Sequence, residues 1–225
     1  MNIRFLLFAP LLLAACNSGT TTNTGQSSTA ATDTHAVAMN NMQQSQSTPP
    51  AGRAASDAML DEMRRMMADM KAMSMSRDPD HDFAMMMKRH HEGAIEIAIK
   101  EVNSGADAEL KQIAQKMKDD QQAENVALQT FLSSHKPAIK TSFAENAMKQ
   151  MEASPMMNLP MKGDPDQDFA ALMTEHHKGA MDMATEYLKT GKVDKIKEMA
   201  RKMITMQKEE IGKLSDWTAR HASKG

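Results

Sequence analysis

Two stretches of this chain set imidazole beside sulfur. "HDFAMMMKRHHEGA", His81 to Ala94, places Met87 one helical turn before His90 and His91. "QDFAALMTEHHKGA", Gln167 to Ala180, does the same with Met173, His176 and His177. Neutral imidazole and thioether together make a soft donor set that suits Cu(I) or Ag(I). Cysteine would bind such ions harder, but it is lost to disulfide in an oxidising compartment, and methionine is not. In the second stretch Met173, His177 and Met181 stand at i, i+4 and i+8 and form a thioether–imidazole–thioether row.

The elements that carry these residues follow from periodicity. On a 3.6-residue wheel Phe83, Met87, His90, His91, Ala94 and Ala98 share one arc, and Lys88, Arg89, Glu92, Glu96 and Lys100 take the other. The second stretch divides in the same way, so each His pair faces inward. A second helix follows each one. Its apolar stripe contains Gln121 and Glu124 in the first case and Gln207 and Glu210 in the second. In an antiparallel hairpin turning at Gly105, Gln121 is expected level with His90 and Glu124 level with Met87. An inward Glu can orient a metal-bound His and raise its basicity. The alternative is that the same residues form a buried, hydrogen-bonded polar network with no metal.

The chain is an internal repeat. At an offset of 86 residues, His90-His91 returns as His176-His177, Asp78-Pro79-Asp80 as Asp164-Pro165-Asp166, and Gly105 as Gly191. Gln121 and Glu124 return as Gln207 and Glu210, Phe131 as Trp217, and His135 as His221. Each copy reads as a helical hairpin, with Asp80 or Asp82 capping the first helix and Gly105 ending it in the left-handed conformation. Asp107 opens the second helix. Two such hairpins packed together give an all-α four-helix bundle. Ahead of each lies a short Met-rich helix. Met66, Met67, Met70, Met73 and Met75 in one, and Met156, Met157 and Met161 in the other, offer solvent-accessible accessory ligands. Helix-packing filler is an equally good account of these methionines.

Composition agrees. The 225 residues hold 25 Met against one Trp, one Tyr and six Phe, so flexible thioethers must fill much of the core. Few aromatic and β-branched residues argue against sheet. The formal net charge of −2 advertises no polyanion partner, which disfavours nucleic acid.

Residues 1–15 read as a signal peptide: Arg4, an apolar run too short to span a bilayer, then "LAAC". That ending resembles a lipobox, with Cys16, the single cysteine, as the lipidated residue. The expected location is the bacterial cell envelope, periplasm or outer membrane, with the membrane reached through the lipid anchor. Residues 16–53, rich in Ser, Thr, Asn and Gln, read as a flexible tether. Residues 54–225 form the repeat domain, with copies at about 59–137 and 143–221.

Other metal readings are weaker. "DPDHD" and "DPDQD" begin like a calcium loop, but Phe83 and Phe169 occupy the position that requires glycine. A di-iron bundle needs Glu-x-x-His, and Met87, Lys88, Met173 and Thr174 stand three residues before the four histidines.

Asp-x-Asp-Phe, then Met-x-x-His-His-x-x-Ala, then Gln-x-x-Glu and a terminal aromatic, resembles the domain-of-unknown-function 305 family over about residues 59–221. "DPDQDFAALMTEHHKGAMDMA" and "QKEEIGKLSDW" carry the likeness most closely; the first copy has Ile97 where the second has Met183. The resemblance implies a ferritin-like bundle, an envelope location and, in some members, copper binding. It implies no catalytic residues. It supports Met87, His90, His91, Met173, His176, His177 and Met183 as positions to test for metal binding. The expected function is therefore an envelope-anchored protein that sequesters or relays Cu(I) or Ag(I). The alternatives are a structural or interaction module without metal and a metal-dependent redox enzyme. Oligomeric state and any metal-transfer partner are left open. Because protons compete for imidazole, affinity is expected to fall as pH drops through about 6.

Overall fold

In a computed structural model, residues 50–222 are described, and all their regular structure is helical. In chain order these are α1 (Ala51–Ala72), α2 (Pro79–Ser104), α3 (Ala108–Ser134), α4 (Phe143–Ala153), a 3-10 turn (Pro155–Asn158), α5 (Pro165–Thr190) and α6 (Asp194–His221). None of these helices is long and apolar enough to cross a membrane. Residues 1–49, including the signal and lipobox readings and nearly all of the proposed tether, lie outside the described residues.

The helix starts are set by aspartate, but not by the residues expected. Asp78, not Asp80 or Asp82, caps α2: its carboxylate accepts the N–H groups of Asp80 and His81 at 3.1 and 3.0 Å, and Pro79 follows at the first helical position. Asp164 caps α5 by accepting from Gln167. The third aspartate of each cluster reaches backward. Asp82 accepts from the backbone of Ser76 and Arg77, and Asp168 from that of Lys162 and Gly163. Arg77 and Gly163 are equivalent in the repeat, and both hold positive φ (72° and 82°), which costs glycine little and arginine more.

Gly105 does end α2, but in extended backbone (φ −64°, ψ 152°), not in the left-handed region. Its need is space: a Cβ there would lie 2.2 Å from Glu101 Oε1 and 2.8 Å from Asp166 Oδ1. Gly191 has the same role, with the Tyr187 ring 2.4 Å from a Cβ position.

Packing joins α2 to α3, α5 to α6, and α2 to α5, while α1 lies on α2 and α5, and α4 on α5 and α2. His135, just after α3, meets Asp78 at the start of α2 at 3.1 Å, so α2 and α3 are antiparallel. The repeats are also fastened reciprocally. Asp80 accepts the N–H groups of Lys192 and Val193 (2.9 and 3.0 Å) just ahead of α6, and Asp166 accepts those of Ala106 and Asp107 (3.0 Å each) just ahead of α3. Each copy thus holds the backbone that leads into the other copy's second helix, a reciprocal pair of contacts.

The core is built largely of sulfur. Met59, Met63, Met66, Met70, Met86, Met87, Met156 and Met173 are fully buried, around a stack of Phe83 on Tyr187 (4.2 Å between centroids) with Phe143 edge-on. The first Met-rich helix is longer than expected: α1 has 22 residues and begins at Ala51, inside the stretch read as tether.

Candidate metal centre

The α2–α5 contact brings the two His pairs together at mid-bundle. All four rings are 0% exposed. His90 and His176 lie ring on ring, 3.7 Å between centroids and tilted by 38°. His176 Nε2 donates to the carbonyl oxygen of His90 at 3.0 Å, which leaves His176 Nδ1 as a lone pair without a partner. Both ring nitrogens of His90 lack a hydrogen-bond partner.

The other two histidines face the second helices. His91 Nδ1 donates to Asn125 Oδ1 at 3.2 Å, so in neutral His91 the Nε2 lone pair points at Glu124 Oε2, 3.5 Å away. Two acceptors facing each other need a proton or a cation between them. His177 Nε2 lies 2.9 Å from Glu210 Oε2, close but not aligned for a hydrogen bond. Glu124 therefore comes level with His91, not with Met87. Gln121 and Gln207 are buried, and both polar atoms of each amide are unpartnered. Buried polar atoms in native proteins are nearly always paired, so this concentration of orphans is informative.

Electrostatics keeps three of the rings neutral. Burial, reinforced by the neighbouring imidazoles, holds His90 and His176 well below the usual histidine value, and burial brings His91 to about 3. Burial, with the charge of Glu210 nearby, pushes Glu124 up to about 7. Neutral imidazole is the form that binds metal.

The sulfur atoms divide. Met87, Met173 and Met183 are buried in the same core as the rings, with Met87 and Met173 one turn before each pair. Met181 is partly exposed and stands apart from the core cluster, so the row through His177 is not continuous. The accessory methionines are not the solvent-accessible set expected. Met66, Met67, Met70 and Met156 are buried because α1 and the 3-10 turn pack their apolar faces onto α2 and α5. Met73, Met75, Met157 and Met161 are partly buried against that core.

Asn125 was not legible in the sequence, because it does not repeat: Ile211 holds its place in α6. A second cluster, Asp78, Asp80 and His135, gathers three ligand-type atoms within 4.8 Å. Its carboxylates are already in use. Asp78 accepts from Asp80, His81, Ala138, Ile139 and His135, and these bonds outweigh burial and hold its carboxyl at about 2. Asp80 accepts from Lys192, Val193 and the Tyr187 hydroxyl. The cluster is a capping hub.

The family profile described as domain of unknown function (DUF305) matches residues 13–132 and again 133–218. The chain belongs to the DUF305 family. A crystal structure of a DUF305 fragment from Deinococcus radiodurans is similar to it, with a TM-score of 0.50 at 21% identity, over 63% of this chain and 96% of that one. That likeness bears on the fold alone, a helical bundle. No curated protein matches the chain.

Proposed function

We propose that this DUF305 protein binds soft metal ions, Cu(I) or Ag(I), for sequestration or relay, and that it does so at the cell envelope from a lipid anchor on Cys16. One observation carries the metal reading. Four fully buried histidines, three of them held neutral, meet at one level of the bundle with ring nitrogens that have no protein partner. An orphaned buried nitrogen is costly, and a cation that accepts its lone pair removes the cost. The buried thioethers of Met87, Met173 and Met183 supply soft donors in the same core, and Glu124 and Glu210 supply carboxylates beside His91 and His177. Bound there, the metal would be held as cargo. The chain's own contribution is a neutral, desolvated donor set with its imidazoles braced by Asn125 and the His90 carbonyl.

The expected loss of affinity through pH 6 needs revising. With His91 at about 3, and His90 and His176 well below their ordinary value, protons compete for these three rings only well below pH 6. Anaerobic Cu(I) titration checks this reading. The share of affinity carried by His90, His91 and His176 should persist from pH 7 to well below 6. His176→Ala/His177→Ala, shown by circular dichroism to be folded, should bind Cu(I) more weakly, through His90, His91 and the buried methionines alone. A folded double variant with native affinity and pH profile would show that these histidines only pack the core.

A further inference from the structure

The buried imidazoles need a way in, and the two sides of the α2–α5 layer differ. One side is closed. Met66 packs so tightly on Gly93 that a Cβ there would come within 2.7 Å of its sulfur, and a Cβ at Gly179 would touch the Met156 methyl at 3.4 Å and His90 Nε2 at 3.7 Å. On the other side α3 and α6 are not in extended contact as the neighbouring helix pairs are; ion pairs of Arg220 with Glu109 and His221 with Asp107 bring them together at one end. Between them runs a groove of about 550 Å³. Ala123, Ala127, Met199 and Met206 make its apolar walls, and Asp120, Glu124 and Glu198 outnumber Lys195 and Lys202 among its charged residues. Glu124 belongs to both places: it lines the groove, and its carboxylate is 3.5 Å from His91 Nε2.

We infer that the α3–α6 groove is the passage by which a soft monovalent cation, Cu(I) or Ag(I), reaches the imidazoles, with Glu124 as the step between groove and His91. The inference rests on the metal reading above. The chemistry suits the cargo. Small alanines keep the seam open, thioethers on the α6 wall offer weak, exchangeable soft donors, and the carboxylates of Asp120 and Glu198 offset the two lysines so that a cation is not repelled. Met199 and Met206 are thus assigned to transit, whereas Met87 and Met173 belong to the bound state.

The test uses charge at an exposed position of the groove. Ala123 is solvent-exposed on α3, so Ala123→Arg and Ala123→Glu alter the mouth without touching the core. The same changes at Ala68, exposed on α1 across the bundle, are the controls. Anaerobic loading of the full chain with Cu(I) held in acetonitrile, quenched with a chromophoric chelator, gives the rate. At low ionic strength A123R should slow loading and A123E should speed it, each about fivefold. Release should change by the same factor, so affinity stays constant, and the effect should vanish in high salt. The Ala68 variants should load like the native protein. Equal rates for A123R and A123E, or equal effects at Ala68, would overturn the passage and leave the metal site standing. No Cu(I) uptake by the native protein would overturn both.

Discussion

Glu101 and Tyr187 hold equivalent places in the two repeats and treat a proton differently. Tyr187 donates its hydroxyl to Asp80 at 2.5 Å. Glu101, 0% exposed, lies beside Asp166, and burial together with that carboxylate pushes its carboxyl up to about 9. At neutral pH it is therefore protonated and can donate as Tyr187 does. The sign of the linkage follows. The unfolded chain loses this proton near its ordinary 4.5, whereas the folded chain keeps it to about 9. The contribution is complete below 4.5, declines as pH rises through that window, and levels off above it. Glu101→Gln keeps a donor without the ionisation. Urea denaturation between pH 5 and 9 should show the native protein losing stability relative to Glu101→Gln, by as much as about 1.4 kcal/mol per pH unit. Taking the difference removes Glu124, which titrates in both proteins. Parallel pH profiles would mean that Glu101 ionises normally. The inward direction of the four histidines was legible from the 3.6 period, but their partners were not. A wheel cannot separate His90, which meets His176, from His91, which meets Asn125 and Glu124.

At the scale of the helix, the 86-residue offset made four long segments legible, because Pro after Asp and Gly at the far end punctuate both copies alike. It could not say which of three neighbouring aspartates caps which helix. The answer depends on the other repeat: Asp80 and Asp166 are held by backbone more than 50 residues away in sequence. Nor could it say why Gly105 is glycine. Two substitutions separate the reasons. Gly212 is exposed within α6, and a Cβ there meets nothing within 4 Å, so Gly212→Ala should stabilise by about 0.5–1 kcal/mol through the lower entropy of the unfolded chain. Gly105→Ala drives a Cβ into the Glu101 and Asp166 carboxyl groups and should destabilise by about 1–3 kcal/mol. Chemical denaturation reads both, and a neutral Gly105→Ala would remove the packing account of that turn. The extent of α1 was missed because "AGRAAS" lacks an apolar stripe; tertiary contact with α2 and α5 settles that helix.

The molecule as a whole joins a helical bundle to an N-terminal segment that carries the envelope reading. If Cys16 is lipidated, replacing it by Ser should move the protein from the membrane fraction to the soluble fraction without changing its helicity, and an unchanged distribution would end that part of the proposal. The bundle then has one central task, to hold soft donors desolvated at the level where the repeats cross. X-ray absorption at the copper edge of the native protein loaded anaerobically with Cu(I) tests that most directly. A first shell of imidazole nitrogen together with sulfur is expected, with the nitrogen share reduced in folded His176→Ala/His177→Ala, which keeps His90 and His91. A shell of oxygen alone, or a native protein that retains no copper after desalting, would contradict it.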